Sequence, residues 1–487
     1  SARLGYYWVL RAFELTYGIK ENPIKLDSPL GKEAILVVES DITSTHPIFG
    51  LKFLEAKAQG SNLIVVDSRR TKLARHASEF LKIRPGTSVA LLNGIINYAL
   101  KEGVHMSLWG TAMETTTQVP EPEEFGVEGL RELEASVKDY TPEKVEELTG
   151  IRKEDFLRVA ELFTKASSRL ICLTVGAAEN HKGLETVLAA ANLMNLLNEP
   201  PESLQVPADY SNTFGAWKVG SRPLADGLDL YRMLYGPGNL KALYVMGEDP
   251  LVTMPDGGTI EKTLKALELL VVQDIRLSET AKLAHLVLPA AAWVEKDGTF
   301  FNAEGLAQPF KKLLNPPGEA IPDWQIIRNL ARVMGSELGN IDLATLRAEI
   351  SNLREEEGDR RRRFVPVEFS LKEQVSEEHP ILMVTGNLMQ HSGALSVMSK
   401  SLSSVLSDAF VLISEEDARR AGIEDHEFIE ITSRKGSAVI KAKVTDEVRE
   451  GVLFVPVHFA HAKVNYLEDV SMDGSAHPVP VRIAPRR

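Results

Sequence analysis

LVVQDIRLSETAKLAHLVLPAAAWVEKDGTFFNAEG, residues 270–305, holds two apolar strand-like runs, an acidic strand end, a small-residue helix and a turn in one short unit. The first run is brief, rich in β-branched residues and lacks polar alternation, which is the pattern of a strand buried on both faces of a parallel sheet. It ends at Gln273 and Asp274. In open α/β sheets ligands collect outside the carboxyl ends of the strands, where a carboxylate can accept hydrogen bonds from a ribose or a base edge. Asp274 can equally serve as the cap of the helix that follows.

A second stretch resembles the first. Residues 63–86, LIVVDSRRTKLARHASEFLKIRPG, run through strand, Asp67, Arg69, a threonine, an alanine-containing helix, a leucine and a proline, in the order found from residue 269 onward. This reads as a weak internal duplication of one α/β unit with two similar ligand halves; chance likeness between two βαβ units is the alternative. Upstream of the first copy, 34–38 is a strand ending at Glu39, Ser40 and Asp41, and 49–59 is a helix closed by Gly60. Residues 80–83 deliver Arg84, Pro85, Gly86 and Thr87 to the head of another helix. Upstream of the second copy, 241–246 is a strand running into Gly247, Glu248, Asp249 and Pro250. Strand, helix and strand joined by tight turns define parallel sheets.

Between the copies, TPEK at 141–144 is an N-cap with proline at the first helical position. RLICLTV at 169–175 is a central strand leading to Gly176, Ala177 and Ala178, and 184–197 is a buried helix. An irregular connection spans 199–223, and 322–335 is an amphipathic helix. The charged stretch 354–363 marks a boundary, and its RRRR run reads as a surface linker. Beyond it the texture changes to short strands, with 401–407 (SLSSVLS) read among them and one short helix at 415–422. That pattern predicts a β-barrel-like domain. The fold class is therefore α/β: two related parallel-sheet domains, 1–205 and 206–363, followed by the barrel at 364–487.

Composition narrows the function. The 487 residues carry 68 acidic and 55 basic side chains, a formal charge of −13, with no basic arm, so nucleic acid is not an expected partner. No apolar run reaches a membrane span. The opening residues 1–18 have helical spacing and no start signal or secretory leader, which suggests a piece of a longer chain and a cytoplasmic location. The single cysteine, Cys172, excludes disulfides within these residues and any iron–sulfur or zinc site built on several of their thiolates. In a strand it reads as a small core hydrophobe rather than a reactive thiol.

Taken together, IVVDSRRT (64–71), IRPGT (83–87), GEDP (247–250), QDI (273–275) with ETAKLAHLVLP (279–289), EKDGTFFNAEG (295–305) and DARRAGIED (417–425) stand in one family's order. Over nearly its whole length the chain resembles the large subunit of molybdopterin oxidoreductases, especially formate dehydrogenase α subunits and the large iron–sulfur subunit of complex I. The resemblance implies two facing α/β domains closed by a barrel, holding molybdenum or tungsten on two pterins, each carried as a molybdopterin guanine dinucleotide. It assigns Asp67, Arg69, Arg70, Arg84, Gly86 and Thr87 to one dinucleotide. It assigns Gly247, Glu248, Asp249, Gln273, Asp274, Thr280 and Lys296 to the other. From the barrel it brings Gly386, Asn387, His391, Ser392, His458, Asn465 and Arg482 towards the pterins. Carboxylates suit guanine N–H groups and ribose hydroxyls, and arginines suit pyrophosphate. His458 can instead be a core histidine and Lys296 a solvated surface group.

Departures from the family bear on chemistry. Its N-terminal iron–sulfur domain is absent from these residues, and no cysteine precedes the first strand where formate dehydrogenases place the metal ligand. Val206 or Pro207 falls where they carry a catalytic arginine, and Glu39–Ser40–Asp41 replaces a Gly-x-Asn motif. Two carboxylates facing a phosphate repel it unless they turn away or protonate. No metal ligand and no catalytic residue is assigned. The expected role is a complex I-type electron-transfer subunit, with other subunits, iron–sulfur proteins among them, as partners. An active molybdenum or tungsten enzyme and a cofactor-free docking module are the alternatives.

Overall fold

The computed structural model describes residues 4–105, 108, 127–174, 183–208, 210–221, 227–236, 240–353, 358, 360–370, 375–391, 393–470 and 478–486. Gly176, Ala177, Ala178 and Ser392 lie outside the described residues. The chain divides into two compact units, Leu4–Asp209 with Glu357–Arg487, and Tyr210–Glu356.

The first unit contains β1 (Ala34–Val38), β2 (Asn62–Asp67), β3 (Glu79–Lys82), β4 (Arg169–Leu173) and β5 (Leu204–Gln205), a parallel sheet in the order β3-β2-β1-β4-β5. Its apolar runs serve two cores at once because successive side chains point to opposite faces. Leu36, Val38, Ile64 and Val66 pack with the helices Leu4–Tyr17, Ser88–Lys101 and Gly183–Leu196. Ile35, Val37, Leu63 and Val65 pack with Phe49 and Phe53 of the Pro47–Ala58 helix. Cys172 lies in this second core, fully buried, where burial pushes its thiol up. Thr141 caps the Pro142–Thr149 helix as expected, its hydroxyl accepting from the Lys144 amide.

In the second unit β6 (Ala242–Met246), β7 (Leu269–Asp274) and β8 (Leu286–Pro289) form a parallel sheet with β7 in the middle. β9 (Gly298–Phe301) and β10 (Ala307–Phe310) make a hairpin. There a Cβ on Gly298 would sit 2.3 Å from the tip of the Phe310 ring, so a larger residue would have to push that ring off Phe300. The helix expected after Asp274 shrinks to one 3₁₀ turn, Ala281–Leu283, so Asp274 caps no helix and accepts instead from the Ile275 amide at 2.6 Å. The corresponding helix of the first copy is likewise a single 3₁₀ turn, Leu73–His76. The reason is length: the connections 68–78 and 275–285 are shorter than the dozen or more residues that a crossover carrying a full α-helix takes.

β11 (Ile381–Gly386), β12 (Phe410–Ile413), β13 (Phe428–Thr432), β14 (Ser437–Val444), β15 (Val452–Pro456) and β16 (Val479–Pro485) close into a barrel, in the order β11-β15-β12-β14-β13-β16. Alternation explains it: Ile429 and Ile431 of β13 and Ala438, Ile440 and Ala442 of β14 point into the core. The short helix is present at Glu415–Ala421. The serine-rich segment read as a strand is a helix, Lys400–Val405, because the Ser399 hydroxyl accepts from the Leu402 amide and caps it. The barrel belongs to the first unit and docks beside β2, with the Arg70 amide donating to Glu447 O at 2.6 Å.

Candidate functional site

The duplication seen in sequence extends to individual hydrogen bonds. The Leu63 amide donates to the Ser78 hydroxyl and the Ser78 amide to Leu63 O; Leu270 and His285 repeat this, the ring Nδ1 replacing the hydroxyl. Thr71 and Ser278 each accept from an alanine amide three residues on. Asp41 pairs with Arg69 at 2.7 Å, and Asp249 pairs with Arg276 at 3.3 Å. Each strand ends at its aspartate, Asp67 or Asp274, both buried. The same bonds recur in the same order with the spacing preserved to within one residue, which favours duplication over chance likeness.

At the end of the first sheet Asp67 accepts from the Arg69 amide at 2.8 Å. Burial raises its carboxyl to about 7; Arg69 and that amide oppose the shift, while Glu39 and Asp41 add to it. The Arg69 guanidinium also lies 4.0 Å over the Phe454 ring of β15. Arg84 turns away from the sheet end, donating to Leu148 O at 2.7 Å and Glu147 O at 3.3 Å, the last carbonyls of the Pro142–Thr149 helix. A cation is favoured there by the helix dipole. Thr87 gives its hydroxyl to Arg84 O, and Arg70 is exposed. Glu39, flagged in the sequence only as a departure, enters the centre of this group: its carboxylate accepts from the Gly86 amide at 3.4 Å and the Ser88 hydroxyl at 2.5 Å. Burial raises the Glu39 carboxyl, with those two bonds opposing.

The raised Asp67 carboxyl has a consequence for stability. An aspartate at 3.8 when unfolded and about 7 when folded holds its proton longer in the native state. Its contribution is complete below the unfolded value and is lost as pH rises through the folded one. Asp67→Asn is expected to reduce the fall in urea midpoint between about pH 5 and about pH 8. An unchanged profile would show that Asp67 is charged throughout.

In the Tyr210–Glu356 unit Asp249 is the hub. It accepts from the Thr280 amide at 2.9 Å, the Thr280 hydroxyl at 2.7 Å and the Glu279 amide at 3.2 Å, besides pairing with Arg276. Glu248 accepts from the Thr253 hydroxyl and the Asp249 amide. Gly247 takes φ 62 and has open space where a Cβ would stand. Gln273 accepts from the Tyr244 hydroxyl at 2.5 Å and donates to Asp323 at 2.8 Å, and Asp323 pairs with Lys296. Lys296 is thus held in a polar chain rather than solvated. Tyr244 and Asp323 escaped sequence reasoning, since neither stands in a recognised motif; the position of Tyr244 in a strand next to the one ending in Gln273 was the available signal. Burial raises Asp274 as well.

On the barrel, His458 and Asn387 come together at 2.6 Å at the ends of β15 and β11, with His458 in the left-handed region at φ 79. Gly386 lies against Phe454, whose ring would stand 2.9 Å from a Cβ at this glycine. His391 is a core histidine, its ring engaged by Leu406 O at 2.8 Å and Ser396 Oγ at 3.3 Å. Asn465 is buried in a 3₁₀ turn, and Arg482 is exposed on β16 opposite Thr432. The structure therefore brings Gly86 to Glu39, with Asp67 and Arg69 at the same sheet end, and brings Thr280 and Arg276 to Asp249, while Arg70 and Arg482 face solvent.

Duplicated strand–Asp–Arg units and a closed six-stranded barrel define the class of molybdopterin-dependent enzyme folds. Comparison places the chain in it: the molybdopterin oxidoreductase family matches residues 25–333 and the molydopterin dinucleotide binding domain matches residues 381–482. The chain belongs to the molybdopterin oxidoreductase family. It is 30% identical to the F420-dependent formate dehydrogenase subunit alpha of Methanocaldococcus jannaschii, over 91% of this chain and 74% of that one. It is 28% identical to the NADPH-Fe(3+) oxidoreductase subunit alpha of Geobacter sulfurreducens, over 99% of this chain and 60% of that one. Among solved structures, acetylene hydratase from Pelobacter acetylenicus has the same fold, with TM-score 0.79 and 17% identity, covering 100% of this chain and 82% of that one.

Proposed function

We propose that the chain is the α-type subunit of an electron-transferring oxidoreductase, of the complex I large-subunit kind, in which this region is an inherited scaffold. The observation that carries the reading is the gathering of Glu39, Asp41 and Asp67 at one sheet end, with Arg69 bonded to Asp41. A polyanionic dinucleotide finds these donors already engaged: the Arg69 guanidinium is bonded to Asp41, and the Gly86 amide and Ser88 hydroxyl are taken by Glu39. Cys172 is enclosed in the core, and Val206 and Pro207, at the position of the formate dehydrogenase arginine, are buried too. Electrons then pass through iron–sulfur partners, and the arrangement is read as three domains, 1–205, 206–363 and 364–487. Relatives named as alpha subunits support a multisubunit assembly. Among the described residues no helix is long and apolar enough to cross a membrane, and we place the complex in the cytoplasm.

A second reading has its own support. Asp249, Thr280 and the open Gly247 fit a molybdopterin guanine dinucleotide in the other half, and the Methanocaldococcus relative is a formate dehydrogenase subunit. If loaded, that group would supply redox chemistry at molybdenum or tungsten, while this chain's residues would bind and orient its nucleotide. Metal analysis and fluorescence of acid-released, oxidised pterin separate the readings. The scaffold reading expects neither metal nor pterin in chain purified from cells able to make the cofactor; stoichiometric molybdenum or tungsten, with formate-dependent dye reduction, would overturn it.

A further inference from the structure

Glu39 and Gly247 occupy the same place in the two copies of the duplicated unit. Each follows the first strand of its pair, and each donates its amide at 2.8 Å to the residue before the strand-end aspartate, Val66 O or Gln273 O. Both take left-handed backbone, φ 43 and φ 62. That conformation is natural for glycine and unfavourable for a glutamate, so the glutamate must be held by what its side chain does. Its carboxylate crosses to the start of the 14-residue Ser88–Lys101 helix and accepts from the Gly86 amide and the Ser88 hydroxyl. Thr87 at the N-cap position accepts from no helix amide, its hydroxyl being turned backward to donate to Arg84 O. The barrel closes over the same point, with Pro478 3.7 Å from the position of a Cβ on Gly86. In the other copy the space beside Gly247 is open.

We infer that Glu39 is a resident anion: its carboxylate fills, in this half of the duplicated fold, the phosphate seat at the head of the Ser88–Lys101 helix, so that this half accepts no dinucleotide. An incoming phosphate would have to displace a covalently tethered carboxylate already bonded to the donors it needs, with the nearby Arg69 guanidinium already engaged by Asp41. The inference deepens the scaffold reading by naming the closed half and the group that closes it. It also states that the closure is a single side chain, so removing that side chain reopens the seat.

The test uses the full chain and guanosine 5′-diphosphate as probe, read by calorimetric stoichiometry and by hydrogen exchange of the amides at 86–90. Glu39→Gly suits the left-handed backbone and is expected to keep the fold while gaining one equivalent of nucleotide, bound at least about tenfold more tightly than by the wild type. Protection of the 86–90 amides should appear only in that variant. Glu39→Gln removes the charge but keeps the volume, and is expected to gain no equivalent. A folded Glu39→Gly chain with no gain overturns the inference. So does wild-type chain whose 86–90 amides become protected by the nucleotide, a result that needs no variant to fold. The two conclusions fail separately: metal with one dinucleotide per chain refutes the scaffold reading and leaves the closed seat standing, whereas metal-free chain whose Glu39→Gly variant gains nothing does the reverse.

Discussion

Glu199→Ala is expected to lower the unfolding free energy of the unit containing β1 to β5 by about 3–5 kcal/mol, the usual cost of leaving one member of a buried ion pair alone. Arg169 and Glu199 are 2% and 7% exposed. One carboxylate oxygen of Glu199 accepts from both the Arg169 amide at 3.0 Å and its Nη1 at 3.1 Å. The guanidinium completes its bonds on Phe163 O and Thr164 O, and Ser203 donates to the other Glu199 oxygen. Burial holds the guanidinium below its ordinary value, with Glu199 opposing. Arg169 opens β4, opposite Ala34 of β1, so the pair anchors the strand whose far end presents Glu39. Urea unfolding followed by circular dichroism measures the loss; a cost below about 1 kcal/mol would mean that the guanidinium escapes to solvent. The paired change Arg169→Met with Glu199→Leu removes both charges and is expected to recover most of the stability.

The second large effect is in the other unit. Asp249→Ala strips four donors of their acceptor, two backbone amides, a hydroxyl and a guanidinium, at a side chain 3% exposed. The expected cost is about 3–5 kcal/mol, since each unmade buried bond carries a desolvation penalty and one donor is charged. Hydrogen exchange should show the Glu279 and Thr280 amides losing protection. Asp41→Ala is the internal comparison. Among the described residues the Asp41 carboxylate accepts from the Arg69 guanidinium and the Thr43 hydroxyl, and Arg69 keeps its place over Phe454 without it, so about 2 kcal/mol is expected. Equal costs at the two aspartates would show that the backbone amides on Asp249 contribute little.

Much of the fold was legible because its determinants are local. Apolar runs such as LIVVD and LVVQD are too short for helices and too apolar for a one-sided sheet, and the strand-end aspartates follow them directly. The FIEIT and AVIKAKV segments alternate, which a barrel wall requires. Where local signals conflict the reading failed: SLSSVLS has the serines and β-branched valine of an edge strand, yet Ser399 just upstream caps it as a helix. The short turns after Asp67 and Asp274 read as helices because alanine and leucine favour them, but the parallel strands they join leave no length for one.

The sequence by itself determined the duplicated α/β architecture, the barrel that follows it and the family, since each rests on the periodicity of apolar residues and on motifs contiguous in the chain. It also marked Glu39 as out of place. Only the tertiary structure decided what that glutamate does: its partners Gly86 and Ser88 lie far along the chain, brought to it by the pairing of β1 with β2 and β2 with β3. The same holds for Arg84, which turned to helix carbonyls at 147 and 148, and for the chain from Tyr244 through Gln273 and Asp323 to Lys296. A side chain's partners depend on which elements fold against it and in which register, and no local pattern of residue types encodes that.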